Sequence, residues 1–139
     1  MAEPVGLVSG LLTLATFAFQ ASVSLYETIS SYNSHQQRVR DLVEEASSLS
    51  VVLGSLTQTI AASADLDLSA LEIPLRRCGK ACNEFEEEIK RCSSRSGNSR
   101  TSFRDWARLR YMGEDIDGFR RVLSGYKLTI SIALSDANL

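Results

Sequence analysis

The chain has 139 residues, 44% hydrophobic and 23% charged, with two prolines, eight glycines and a formal net charge of −2. This length supports one domain, 1–139, with a buried core, and the composition excludes a disordered or collagen-like chain. Three cysteines and one histidine supply neither a disulfide framework nor metal-ligand spacing, which suits a reducing compartment and calls for no cofactor.

The first predicted helix begins near Pro4, a favourable first-turn residue. Pro4 to Tyr26 carries no charge, between Glu3 and Glu27. Leu7, Leu11, Leu14, Ala18, Ala21 and Leu25 recur in steps of four and three, a bundle-facing seam. Beside it run Val8, Leu12, Ala15, Phe19, Tyr26 and Ile29. Ser9, Thr13, Thr16, Gln20, Ser24 and Glu27 leave a narrow polar edge. A signal peptide needs a positive n-region, and Glu3 stands against one. A span of 23 residues at about 1.5 Å each is long enough for a bilayer, but six hydroxyl or amide side chains and the lack of basic flanks disfavour a permanent one. The expectation is a buried helix at rest, with a conditional span left open. Gly6 and Gly10 form a GxxxG, which in lipid permits close helix approach and in a soluble helix reflects tight packing or chance.

Asn33 and Ser34 break the first pattern, and Ser34 with Gln37 reads as a capping box. The second helix carries Val39, Leu42, Ala46, Leu49, Leu53, Leu56 and Ile60 on one seam, over about 40 Å. Residues 61–68 read as a loop. Ser69 with Glu72 reads as another capping box, and Pro74 requires either a kinked first turn or a helix starting near Ile73. The third seam is Leu71, Leu75, Cys78, Cys82, Phe85, Ile89 and Cys92, which makes the cysteines small core residues. The run Glu84, Glu86, Glu87, Glu88 reads as the outer face of that helix.

Residues 93–101, SSRSGNSRT, read as a polar loop. Ser102 and Asp105 can then cap a short helix bearing Phe103 and Trp106. Gly113 ends it, and Glu114 and Asp115 suit a new helix N-terminus. The last helix carries Ile116, Phe119, Leu123, Tyr126, Ile130, Ala133 and Ala137.

Charge is divided along the chain. Residues 1–75 hold two basic and eight acidic residues, a net −6; residues 76–139 hold thirteen and nine, a net +4. Between Ile89 and Arg110 stand seven basic residues and only Asp105 in opposition. Lys90, Arg91, Arg100, Arg104, Arg108 and Arg110, near Trp106, suit an anionic membrane interface, with a solvated face as the plain alternative. No nucleic-acid motif accompanies them, so nucleic acid is not the expected partner. No P-loop, dinucleotide fingerprint, zinc motif or nucleophile–base set is present, so an enzyme is not expected.

The opening MAEPVGLVSGLLTLATFAFQASVSLYETISSY, the stretch LRRCGKACNEFEEEIKR, the tryptophan in a basic helix and the closing GYKLTISIALSDANL together resemble fungal HeLo-like domains. These stand at the N-termini of fungal STAND/NOD-like receptors and amyloid-signalling cell-death proteins. The resemblance implies a bundle akin to that of the mixed-lineage kinase-like necroptosis executioner, and it covers essentially the whole chain. It implies membrane permeabilisation in regulated cell death, triggered by self-association through an upstream amyloid or STAND receptor partner. It implies residence in the cytoplasm at rest and at the plasma membrane when active. Gly6 and Gly10, with Leu7, Leu11 and Leu14, match the glycine-bearing N-terminal helix thought to insert. The chain ends at Leu139 with no nucleotide-binding or amyloid segment, so an isolated executor domain is expected. The fold expected is all-α, an up-and-down helical bundle of four main helices plus one short helix. The alternative function is a helical adaptor that binds partner proteins without entering lipid.

Overall fold

The computed structural model describes residues 3–31, 37–62, 67–96 and 114–137, with the backbone alone for 3–9, 38, 91–96, 114–115 and 137. Four helices form among the described residues: α1 (Glu3–Ser30), α2 (Gln37–Ala62), α3 (Glu72–Ser96) and α4 (Glu114–Ala137). Among the described residues there is no strand, and the all-α bundle expected from the seams is what folds. The short helix expected at 102–112 lies outside the described residues.

The seams become the core because steps of three and four keep one face of a 3.6-residue helix inward. All seven predicted seam residues of α2, Val39 to Ile60, are buried. Leu71, just ahead of α3, is buried, as are Leu75, Cys78, Cys82, Phe85 and Ile89 in α3 and Ile116, Leu123 and Ile130 in α4. In α1 the two stripes read from the sequence merge. Leu11, Ala15, Ala18, Ala21, Ser22, Leu25 and Ile29 are inward, and Leu14 is only half-buried. The middle of α1 is therefore lined by small side chains, which lets neighbouring helices approach closely while α2 supplies the larger leucines.

The packing order is not sequential. α1 lies between α2 and α3, α4 packs mainly on α2, and only a thin contact joins α4 to α3. That contact includes a Phe85–Phe119 stack, with ring centroids 4.0 Å apart and planes 8° apart. α1 and α3 run parallel, because Phe17 meets Gly79 and Ser24 meets Glu86, each one turn or more further along both helices. α1 thus joins α2 to α3, while α2 carries α4.

Two local expectations change. Ser69 and Glu72 form no capping box. The Asp67 carboxylate instead accepts from the Ser69 hydroxyl at 2.8 Å and its amide at 3.3 Å, which hold Asp67 below the usual carboxylate range. Glu72 pairs with Arg76 at 3.2 Å. A 3-10 turn, Ser69–Leu71, leads into α3, so Pro74 falls in the first turn, where its missing N–H costs nothing. The Ser34 side of the other capping box lies outside the described residues. The Gln37 amide donates forward to Asp41 at 2.8 Å.

Candidate functional site

The uncharged first helix is the candidate site, and its two halves are seated differently. From Phe17 onward it is clamped. The Phe17 ring lies on the bare backbone of Gly79 in α3: a Cβ there would come within 2.6 Å of Cδ2 and closer still to Cε2. The Phe19 ring lies over Gly54 in α2, where a Cβ would meet Cε1 at 3.3 Å. Each glycine costs its helix about 1 kcal/mol relative to alanine, and each makes room for an aromatic ring of α1.

Two turns beyond the Phe17–Gly79 contact is a polar clamp. Glu86 was expected on the outer face with its acidic neighbours; it is instead 6% exposed and turned toward α1. Its Oε2 accepts from Ser24 Oγ at 2.8 Å and Thr28 Oγ1 at 2.8 Å. Lys90 Nζ, one turn along α3, reaches the same oxygen at 2.9 Å. Burial pushes the Glu86 carboxyl up, but the Lys90 bond, the two hydroxyls and the ammonium charge outweigh it and hold it below the usual range. Ser24, read as part of the exposed polar edge, therefore faces α3. The pattern has a sequence signal: 82, 86 and 89 fall on one helical line with the cysteine seam. The run of four acids masks that line.

Below Phe17 the fit is loose. Gly10 is exposed, and among the described residues nothing lies within 4 Å of where its Cβ would be. A groove of about 470 Å³ opens between this part of α1 and the start of α3, lined by Gly10, Leu11, Leu14, Ser69, Glu72 and Arg76. Glycine here gives up helix stability without admitting a neighbour from the described residues. Gly118 and Gly125 in α4 are equally open; what sets Gly10 apart is its place in a helix that stays uncharged from Pro4 to Tyr26.

The other expected site residues divide three ways. Leu11 is buried and Leu14 lines the groove. Gly6 and Leu7 fall within α1, but their side-chain surroundings lie outside the described residues, as does the side chain of Arg91 in α3. Arg100, Arg104, Arg108 and Arg110 lie wholly outside them. Lys90 is exposed, its side chain 63% accessible, while its ammonium pairs with Glu86.

Cys78 and Cys82 are free and fully buried one turn apart. The hydrogen bond with Cys78, then burial, pushes the Cys82 thiol far up, so it stays protonated and unreactive. Among the described residues, no group of His, Cys, Asp and Glu could hold a metal ion. Among them, too, no helix is long and apolar enough to cross a membrane.

A family model, described as the N-terminal domain of the pigment biosynthesis cluster protein PigL, matches residues 2–139. No curated protein matches the chain, and no solved structure does.

Proposed function

The chain belongs to the PigL N-terminal family, and from that premise we propose that it is a HeLo-like membrane-permeabilising domain of regulated cell death. The family is related to HeLo-like domains. In this reading the bundle rests in the cytoplasm. An upstream amyloid or STAND receptor partner clusters it, and α1 leaves its seat to enter the plasma membrane. Gly6 and Gly10 then let inserted helices approach one another. The basic residues from Lys90 to Arg110 make the first contact with anionic lipid, each contributing about 1 kcal/mol near such a surface. The reading asks no catalytic residue to act.

One observation carries it: Gly10, in an uncharged helix, meets open space among the described residues of the bundle. Its cost to helix stability is not matched there by a close contact and would be matched between helices in lipid. The opposing cost lies in the Phe17, Phe19 and Glu86 clamps. Lipid and oligomer contacts must exceed what these contribute. The test is dye release from anionic liposomes with the protein forced to oligomerise through a fused dimeriser. Leakage that Gly6→Leu/Gly10→Leu abolishes, with the bundle still folded, supports the reading. No leakage at micromolar protein contradicts it.

The same clamps favour the second reading, a helical adaptor. If α1 never leaves α2 and α3, exposed faces act by binding other proteins. Under that reading the double glycine substitution changes function only as far as it changes stability.

A further inference from the structure

The cations expected to meet lipid fall mostly between 91 and 110, yet the described bundle carries a second face with the same chemistry. Where α3 and α4 meet only thinly, a groove of about 300 Å³ lies open, lined by Ile73, Pro74, Arg77, Arg121, Val122 and Tyr126, with bare Gly125 between them. Ile73 is 55% and Val122 43% exposed, two of the few large apolar side chains left in water among the described residues. No acidic residue lines this groove. Arg77 and Arg121 are exposed, and neither has an ion-pair partner among the described residues.

Comparison with the other grooves makes this distinctive. The groove beside Gly10 sets Glu72 against Arg76, and the one between α2 and α4 sets Asp41, Glu44 and Glu45 against Arg120 and Lys127. Only the α3–α4 groove, of these three, carries uncompensated positive charge beside exposed apolar side chains. Guanidiniums without internal partners remain available for phosphate and carboxylate oxygens. Exposed Ile and Val between them can enter the headgroup–acyl boundary, and a tyrosine beside them suits that depth.

We propose that the α3–α4 groove is a membrane-docking face of the resting bundle, with Arg77 and Arg121 on the headgroups of anionic phospholipid and Ile73 and Val122 wedged at the acyl boundary. The inference rests on the membrane reading above and adds to the basic residues between 90 and 110 a second lipid-facing surface, away from α1. Docking through this face leaves α1 seated and the bundle intact, so binding precedes release of the helix.

The test is co-sedimentation of the full chain with vesicles of phosphatidylcholine plus phosphatidylserine, and with phosphatidylcholine alone. Arg77→Gln/Arg121→Gln is expected to weaken binding to the mixed vesicles about thirtyfold, the equivalent of about 2 kcal/mol. Ile73→Ser/Val122→Ser weakens it severalfold. Arg40→Gln/Arg76→Gln, with the same change in net charge, weakens it less than about threefold, because these arginines lie off the face. Circular dichroism shows whether each variant keeps its fold; all six positions are exposed. If both arginine pairs weaken binding equally, the groove is not the docking face, while the membrane reading stands. If the variants keep wild-type vesicle binding but lose self-association in sedimentation velocity, the face belongs to a second copy and the lipid assignment is overturned. If the unaltered chain binds neither vesicle, the groove assignment and the membrane reading fall together.

Discussion

The two halves of α1 belong to one uncharged helix, but the bundle treats them differently. From Phe17 to Ile29 the helix is held by two rings seated on glycines, by the inward Ala18, Ala21, Leu25 and Ile29, and by three donors converging on Glu86 Oε2. From Gly10 to Leu14 it borders an open groove, and its glycine meets no neighbour among the described residues. The difference teaches that composition alone does not say where a hydrophobic helix is tied down. The glycines of its neighbours do: Gly54 and Gly79 mark a fixed contact, and Gly10 marks a free one.

The contrast can be broken by substitution, and the largest effect is expected in the core of the clamped half. Leu25→Ala removes a fully buried side chain and should cost about 2–5 kcal/mol in urea unfolding, whereas Leu14→Ala, half-buried beside the groove, should cost about 1 kcal/mol or less. Equal costs would erase the distinction between the halves. Gly79→Leu must displace the Phe17 ring and is expected to cost about 1–3 kcal/mol; a neutral result would mean that the ring is not seated. Glu86→Ala strips the acceptor from Ser24, Thr28 and Lys90 and should cost about 1–3 kcal/mol, with α1 exchanging its amide hydrogens faster.

The same carboxylate sharpens the contrast through pH. Its pKa is lowered in the folded chain. Its stabilisation is therefore fully present above the unfolded carboxylate value, near ~4.3, and is lost as pH falls through the lower folded value. Thermal melts between neutral and acid pH should show part of the acid loss removed in Glu86→Gln. An unchanged acid slope in that variant would show that Glu86 does not titrate as a clamp. The smallest effect has the opposite sign. Gly10→Ala meets no atom of the described residues and should stabilise the bundle by about 0.5–1 kcal/mol, while Gly79→Ala destabilises it.

Periodicity was enough for the four long helices. Steps of three and four in α2 named every inward residue from Val39 to Ile60, because a helix that buries one stripe repeats it without exception. α1 was read less sharply. It is apolar on two sides, so pattern could not say which line faces inward, and the answer, through Ala15, Ala18 and Ser22, came from packing between two partners. Glu86 was misplaced because its donors Ser24 and Thr28 lie about sixty residues earlier. Only the parallel packing of α1 on α3 brings them together. Gly54 and Gly79 each stand one position from a seam residue, Leu53 and Cys78, which is a usable sign of close approach. The rings they receive could not be named without the fold. The packing order, with α1 rather than α2 beside α3, leaves no trace in any seam, since each seam records burial and not the neighbour that provides it.

The central claim is that α1 is a seated helix able to exchange its seat for lipid. Amide hydrogen exchange, followed by mass spectrometry on the oligomerised chain with and without phosphatidylserine-containing vesicles, tests it most directly. The account predicts that vesicles leave α1 protected while peptides of α3 between Leu75 and Ile89 lose protection, because the helix that covered them has moved into the membrane. Undiminished protection of both α1 and α3, under conditions in which the vesicles leak their dye, would contradict it.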